Sequence, residues 1–205
     1  MLLQRSSGSD EAPRMLGAFN EETPDWLSFF MFTYFTDRDG KMQLESLAQS
    51  GFDPLSRTCR FMLTEEAHHM FVGETGVGRT IQATVDAMTA AGITDPYDTN
   101  RIRDLGVIDL PTIQKKLNLH YSLSLDLFGN EVSTNAANAF NAGIKGRYME
   151  HRLDDDHQLQ RDTYDVKMVS EDQIVTEQMP ALNAINMRLR DDYVKDASGG
   201  LTRWN

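Results

Sequence analysis

The sequence predicts a mainly α-helical protein, a helical bundle that carries a small C-terminal β-hairpin. Three observations predict it. Apolar residues recur at helical spacing in several stretches between residues 23 and 145, and a capping residue followed by proline marks helix starts at Thr23-Pro24 and Asp53-Pro54. Runs of alternating or β-branched residues occur only beyond residue 160.

Residues 1–22 are polar, contain Ser6-Ser7-Gly8-Ser9 and show no apolar period, so they read as a linker. At Thr23-Pro24-Asp25 a cap, a first-turn proline and an acid start a long helix, whose residues Leu27, Phe30, Tyr34 and Leu44 fall at helical spacing and which Gly51 is placed to end. Asp53-Pro54 starts a second helix reaching toward Gly92, and Gly73, Gly76 and Gly78 predict a bend or irregularity in its middle. The very short link makes the two helices antiparallel neighbours, an αα-hairpin. A loop through Pro96 and Gly106 precedes a third helix opening at Leu110-Pro111, and residues 130–145 read as a fourth after Gly129. Residues 164–169 and 173–179 flank Ser170-Glu171-Asp172 as a hairpin, and a last helix covers residues 181–195 before Gly199-Gly200. The resulting domain reading is a linker over 1–22, a partial helical domain over 23–160, and a hairpin with its helix over 161–205.

Composition narrows the function. With 40% hydrophobic and 25% charged residues in 205, the chain is long enough for one domain with a real core. No run of eighteen apolar residues and no secretory pattern occur, which makes a cytoplasmic location the default. One cysteine, Cys59, excludes an internal disulfide framework and a thiolate zinc cage, so a metal would need His and carboxylate ligands. A formal charge of -11 argues against nucleic acid, which is bound through dense Lys and Arg. Arg57, Arg60, Arg79, Lys115, Lys116, Lys145 and Arg147 are the convenient cations for an anionic small ligand, but the sequence does not group them, and they read as solvated helix surface.

The informative string is Thr64-Glu65-Glu66-Ala67-His68-His69, because Glu and His three apart on a helix share a face and can grip one metal. Glu66 with His69 continues the row Leu55, Cys59, Met62 into the bundle, whereas Glu65 with His68 follows the row Thr58, Phe61, Val72; the first register is preferred. A lone Glu-x-x-His is common, and such a pair also arises as a simple hydrogen-bonded or exposed couple. The preceding helix adds weight. Asp37 lies fourteen residues before Gly51 and Glu66 thirteen after Asp53, so both sit roughly 20 Å from the same turn at 1.5 Å per residue. Asp39 and Glu45 are rivals if the helix kinks at Gly40. A carboxylate on one helix and Glu-x-x-His on the next form half of a di-iron carboxylate constellation, which uses six ligands. The later match Asp154-x-x-His157, with Asp126 or Glu131 upstream, sits in a polar run and reads as solvated loop.

Thr-Pro-Asp-Trp-Leu-Ser-Phe-Phe-Met-Phe at Thr23, Phe-Thr-Asp-Arg-Asp-Gly-Lys-Met-Gln-Leu at Phe35, Leu-Thr-Glu-Glu-Ala-His-His at Leu63, and Leu127-Phe128-Gly129-Asn130-Glu131-Val132-Ser133 closely resemble the oxygenase component of benzoyl-CoA 2,3-epoxidase, as do residues 189–193. The resemblance covers nearly the whole chain and implies a ferritin-like bundle in which Asp37, Glu66 and His69 are iron ligands; Glu45 is not carried over. It also implies two irons in the complete protein, benzoyl-CoA and dioxygen as substrates, and a separate NADPH-dependent reductase with flavin and iron–sulfur centres. Members of that family are longer and carry their other ligands on a helix pair N-terminal to anything here, so the chain is expected to be a C-terminal portion, inactive alone. Two further readings compete: a helical module that binds the CoA thioester without a metal pair, and a metal-dependent hydrolase completed by Asp154 and His157.

Overall fold

The computed structural model describes residues 4–14, 17–127, 163–171 and 173–204. The expected fourth helix over 130–145 lies outside them, as do Glu131, Lys145, Arg147, Asp154 and His157. Five helices and a hairpin follow in order among the described residues: α1 (Trp26–Leu47), α2 (Asp53–Ala90), α3 (Thr99–Asp104), α4 (Leu110–Asp126), β1 (Thr163–Ser170), β2 (Gln173–Pro180) and α5 (Ala181–Trp204). The protein is therefore mainly helical with a C-terminal β-hairpin. Before α1, a 3₁₀ turn at Gly17–Phe19 buries Ala18.

Each helix start has a local cause. The Asp25 carboxylate accepts the Ser28 backbone N–H at 2.8 Å, so Asp25 caps α1 and the helix opens at Trp26, two residues later than a Thr23 cap would place it. The Asp109 side chain accepts the Thr112 N–H, and Pro111 stands in the first turn of α4. The hairpin pairs β1 and β2 antiparallel from Thr163 opposite Pro180 to Ser170 opposite Gln173, and Glu171 takes a positive φ of 47° in the connection.

Two expectations are corrected. α2 is one uninterrupted helix through Gly73, Gly76 and Gly78. A Cβ on Gly73 would stand 2.6 Å from the Tyr34 backbone nitrogen, and one on Gly76 would enter the Phe30 ring. These glycines serve close approach of α1 to α2, and tertiary packing outweighs their poor helix propensity. Likewise α5 does not stop before Gly199-Gly200 but runs on to Trp204, because the bare backbone at Gly200 lies against the Tyr34 ring and hydroxyl. The loop expected through Pro96 and Gly106 also contains the short helix α3, closed onto the cluster of Met88, Ile93 and Ile102.

The chain forms two compact units. The first comprises residues 1–39, 66–127 and 196–205. In it Leu27, Met31, Tyr34 and Phe35 form a fully covered stripe on α1. The Tyr34 hydroxyl donates to the Ala197 carbonyl at 2.9 Å, and the Trp204 ring lies 4.7 Å from the Tyr34 ring. From α4, Tyr121 packs 5.6 Å from Phe35, and the Lys116 ammonium reaches Asp25 at 2.8 Å and the Ser28 hydroxyl at 2.6 Å. The second unit comprises residues 40–65 and 128–195. Its described core joins Leu44, Ala48 and Cys59, with Leu47, Leu55 and Leu63 packed on them.

Candidate metal centre

The stripe that buries Tyr34 also sets the direction of Asp37, three residues on, so its side chain is only 19% exposed. On α2 the row that begins at Leu55 and buried Cys59 brings Glu66 inward to 15% side-chain exposure, although Met62 in the same row is half-exposed. His69, one turn further, is 47% exposed and turns its Nδ1 toward both acids.

Asp37, Glu66 and His69 each offer a donor atom, and the three atoms lie within 4.8 Å of one another. His69 Nδ1 is 3.5 Å from Asp37 Oδ2 and 3.9 Å from Glu66 Oε2, both too long for a well-formed hydrogen bond. Among the described residues no other set of three His, Cys, Asp or Glu side chains converges in this way. Glu65 and His68, the other register, are exposed. Asp39 is buried and Glu45 half-buried, and neither belongs to the group; α1 passes Gly40 without a break.

Burial pushes the Asp37 carboxyl up to about 6, the nearby Glu66 charge pushes the same way, and His69 only partly opposes them. Burial also raises Glu66, again against His69. Glu66 Oε2 is buried without a hydrogen-bond partner. Two partly buried carboxylates that disfavour each other's charge, one with an orphaned oxygen, are what a cation would relieve. Two carboxylates and an imidazole suit a divalent transition metal of intermediate hardness, iron among them. By donor chemistry and by this unsatisfied oxygen, the three residues fit a metal.

Sequence reasoning missed a neighbour. Arg38, buried next to Asp37, places its guanidinium 4.4 Å above the Tyr34 ring and pairs with Asp196 at 2.6 Å, while its Nε stays unpartnered. It fixes the α1 turn that bears Asp37 against the end of α5. An arginine between two aspartates looks solvated in sequence, and only its place one turn after Tyr34 hinted at burial. Of the seven cations singled out above, Arg57 pairs with Asp53, Arg60 reaches the Ala48 carbonyl and Lys116 holds Asp25, whereas Arg79 has no polar partner among the described residues.

No helix among the described residues is long and apolar enough to cross a membrane. No protein-family profile matches the chain. Benzoyl-CoA oxygenase component B of Aromatoleum evansii is 58% identical to it over 204 residues, an alignment that takes in 100% of this chain and 42% of that protein. From its first residues to its last, the chain is a relative of benzoyl-CoA oxygenase component B, less than half of whose length it spans.

Proposed function

We propose that this chain supplies half of a di-iron centre in a ferritin-like bundle, with Asp37, Glu66 and His69 as ligands, within the oxygenase component of a benzoyl-CoA 2,3-epoxidase. The observation that carries the proposal is the convergence of three donor atoms within 4.8 Å around a buried Glu66 oxygen that has no hydrogen bond. The 58% identity to a protein named benzoyl-CoA oxygenase component B supports the choice of reaction.

In this reading the two carboxylates offset the charge of the cation, and the His69 imidazole gives a neutral nitrogen from the more open side. The αα-hairpin sets their spacing, with buried Tyr34 and Phe35 anchoring the α1 turn that precedes Asp37. Iron, when bound, supplies the redox chemistry by which one atom of dioxygen enters the aromatic ring of benzoyl-CoA. Electrons come from a separate NADPH-dependent reductase bearing flavin and iron–sulfur centres. Three ligands are half of the six that a di-iron carboxylate centre uses, so the chain by itself turns over little or no substrate.

Anaerobic titration with Fe(II), read by metal content after desalting, tests the assignment. The chain is expected to retain about one iron or less, Glu66→Ala to abolish retention, and His157→Ala to leave it unchanged. Retention that survives Glu66→Ala but fails in His157→Ala would overturn the ligand set in favour of a centre built on Asp154 and His157.

A further inference from the structure

Asp37 stands on α1 and the pair Glu66 and His69 on α2, so their convergence depends on the gap between the two helices. The three side chains do not hold that gap closed themselves: the carboxylates disfavour each other's charge, and His69 reaches neither at hydrogen-bonding distance. A third element touches both helices. The last turns of α5, residues 196–204, belong to the same compact unit as the three ligands. Toward α1, Asp196 accepts from Arg38 at 2.6 Å, the Ala197 carbonyl accepts from the Tyr34 hydroxyl at 2.9 Å, and Gly200 lays bare backbone against the Tyr34 ring. Toward α2, the Glu74 carboxylate accepts from Nε and Nη2 of Arg203, the latter at 2.8 Å, and the Glu74 carbonyl accepts from Trp204 Nε1 at 3.2 Å. Asp37 lies inside the gripped turn of α1, and Glu74 follows His69 by five residues, about 7.5 Å along the axis.

Arg38 is the contact that packing alone does not explain. Its side chain is 7% exposed and its Nε has no hydrogen bond, so burying it costs more than burying an apolar side chain of similar length. Adjacent residues of a helix do not face each other, and the guanidinium is committed to Asp196 and the Tyr34 ring, not to Asp37. What a planar cation adds over an apolar residue is direction. The stack on Tyr34, 4.4 Å away, and the ion pair with Asp196 together fix the rotation of this turn of α1 against α5.

We infer that the end of α5 is a clasp that sets the gap between α1 and α2 at the metal centre, with Arg38 as the positioning residue that aims Asp37 and Arg203 as its counterpart on α2. The inference rests on Asp37, Glu66 and His69 being the metal ligands. It adds that their affinity for a cation is governed from a helix that supplies no ligand, through Asp196 on one side and Glu74 on the other.

Co(II), titrated alone into the metal-free 205-residue chain and followed by its visible absorption, tests the inference. Arg38→Met is expected to weaken Co(II) binding by roughly tenfold or more and to shift the bands of what still binds. The unfolding midpoint of the metal-free variant is expected to move little, because the Asp196 carboxylate left behind is 44% exposed. Asp196→Asn, at that half-exposed position, is expected to reproduce the loss, and the double variant to add little to either single one, as for two residues acting together. Arg38→Lys, which keeps the charge without the planar stack, is expected to restore part of the affinity. Arg203→Gln, on the exposed side of the clasp, is expected to weaken Co(II) as well. Parent affinity and parent bands in Arg38→Met and Asp196→Asn, or an affinity that falls only in step with the unfolding midpoint, overturns the inference. Glu66→Ala separates the two proposals: cobalt lost in Glu66→Ala but fully kept in the Arg38 and Asp196 variants overturns the clasp alone, and cobalt held equally by the parent and Glu66→Ala overturns the ligand set and the clasp with it.

Discussion

A single buried carboxylate can stabilise a fold or strain it, and this chain contains both kinds. Asp109, 2% exposed at its side chain, accepts from Arg103 Nε at 2.6 Å and from the Thr112 N–H and hydroxyl at 2.9 Å each. Burial pushes its carboxyl up, but these donors outweigh burial and hold it below the ordinary carboxylate value. Its folded pKa being depressed, the stability it contributes is fully present above the unfolded value near 4 and is lost as pH falls through the folded one. Asp109→Ala is therefore expected to cost about 1–3 kcal/mol at neutral pH and to flatten the acid limb of stability below pH 4, measured by urea unfolding across pH. Asp37 is the opposite case, with burial and the Glu66 charge both raising it and no donor to match those at Asp109. The convergence of Asp37, Glu66 and His69 was legible in sequence through spacing and depth, whereas the burial of Arg38 was not, since its partner Asp196 stands far along the chain.

At the scale of elements, cap-and-proline signals and apolar period were enough to find α1, α2, α4 and the hairpin. They misjudged what glycine does inside a helix. Gly73 and Gly78 lie five residues apart on α2, and local propensity predicts the same gain of about 0.5–1 kcal/mol for replacing either with alanine. Their surroundings differ: a Cβ on Gly73 meets α1 backbone atoms at 2.6 and 2.7 Å, while one on Gly78 meets the Trp204 ring at an ordinary 3.5 Å. Gly78→Ala is thus expected to stabilise slightly and Gly73→Ala to destabilise by about 1–3 kcal/mol, a difference in sign that thermal unfolding would read directly. The continuation of α5 past its double glycine has the same origin, because Tyr34 and Arg38 on α1 engage Ala197 and Asp196 on α5.

For the molecule as a whole, composition was informative mainly by exclusion. A charge of -11 and one cysteine left carboxylate and imidazole as the means of holding a metal. A metal that binds only the folded chain stabilises it by mass action, by roughly 2.7 kcal/mol at a hundredfold excess over its Kd. Removing metal with a chelator is therefore expected to lower the unfolding midpoint of the parent chain by several degrees and to leave that of Glu66→Ala unmoved. An equal shift in both would place the cation elsewhere. The described surface also exposes Trp26, Phe61 and Phe71, large apolar side chains that no sequence pattern separated from the core-facing ones.

What the sequence by itself determined is therefore the helical class, the hairpin, the αα-hairpin of α1 and α2, and the convergence of Asp37, Glu66 and His69, because caps, period and rise per residue are local quantities. Only the tertiary structure decided that α2 continues unbroken through three glycines, that α5 continues past two more, that Arg38 is buried, and that Arg79 stands without a polar partner among the described residues. Each of these depends on which atoms from distant parts of the chain come into contact, and close approach of backbones can override the preference that a residue expresses alone.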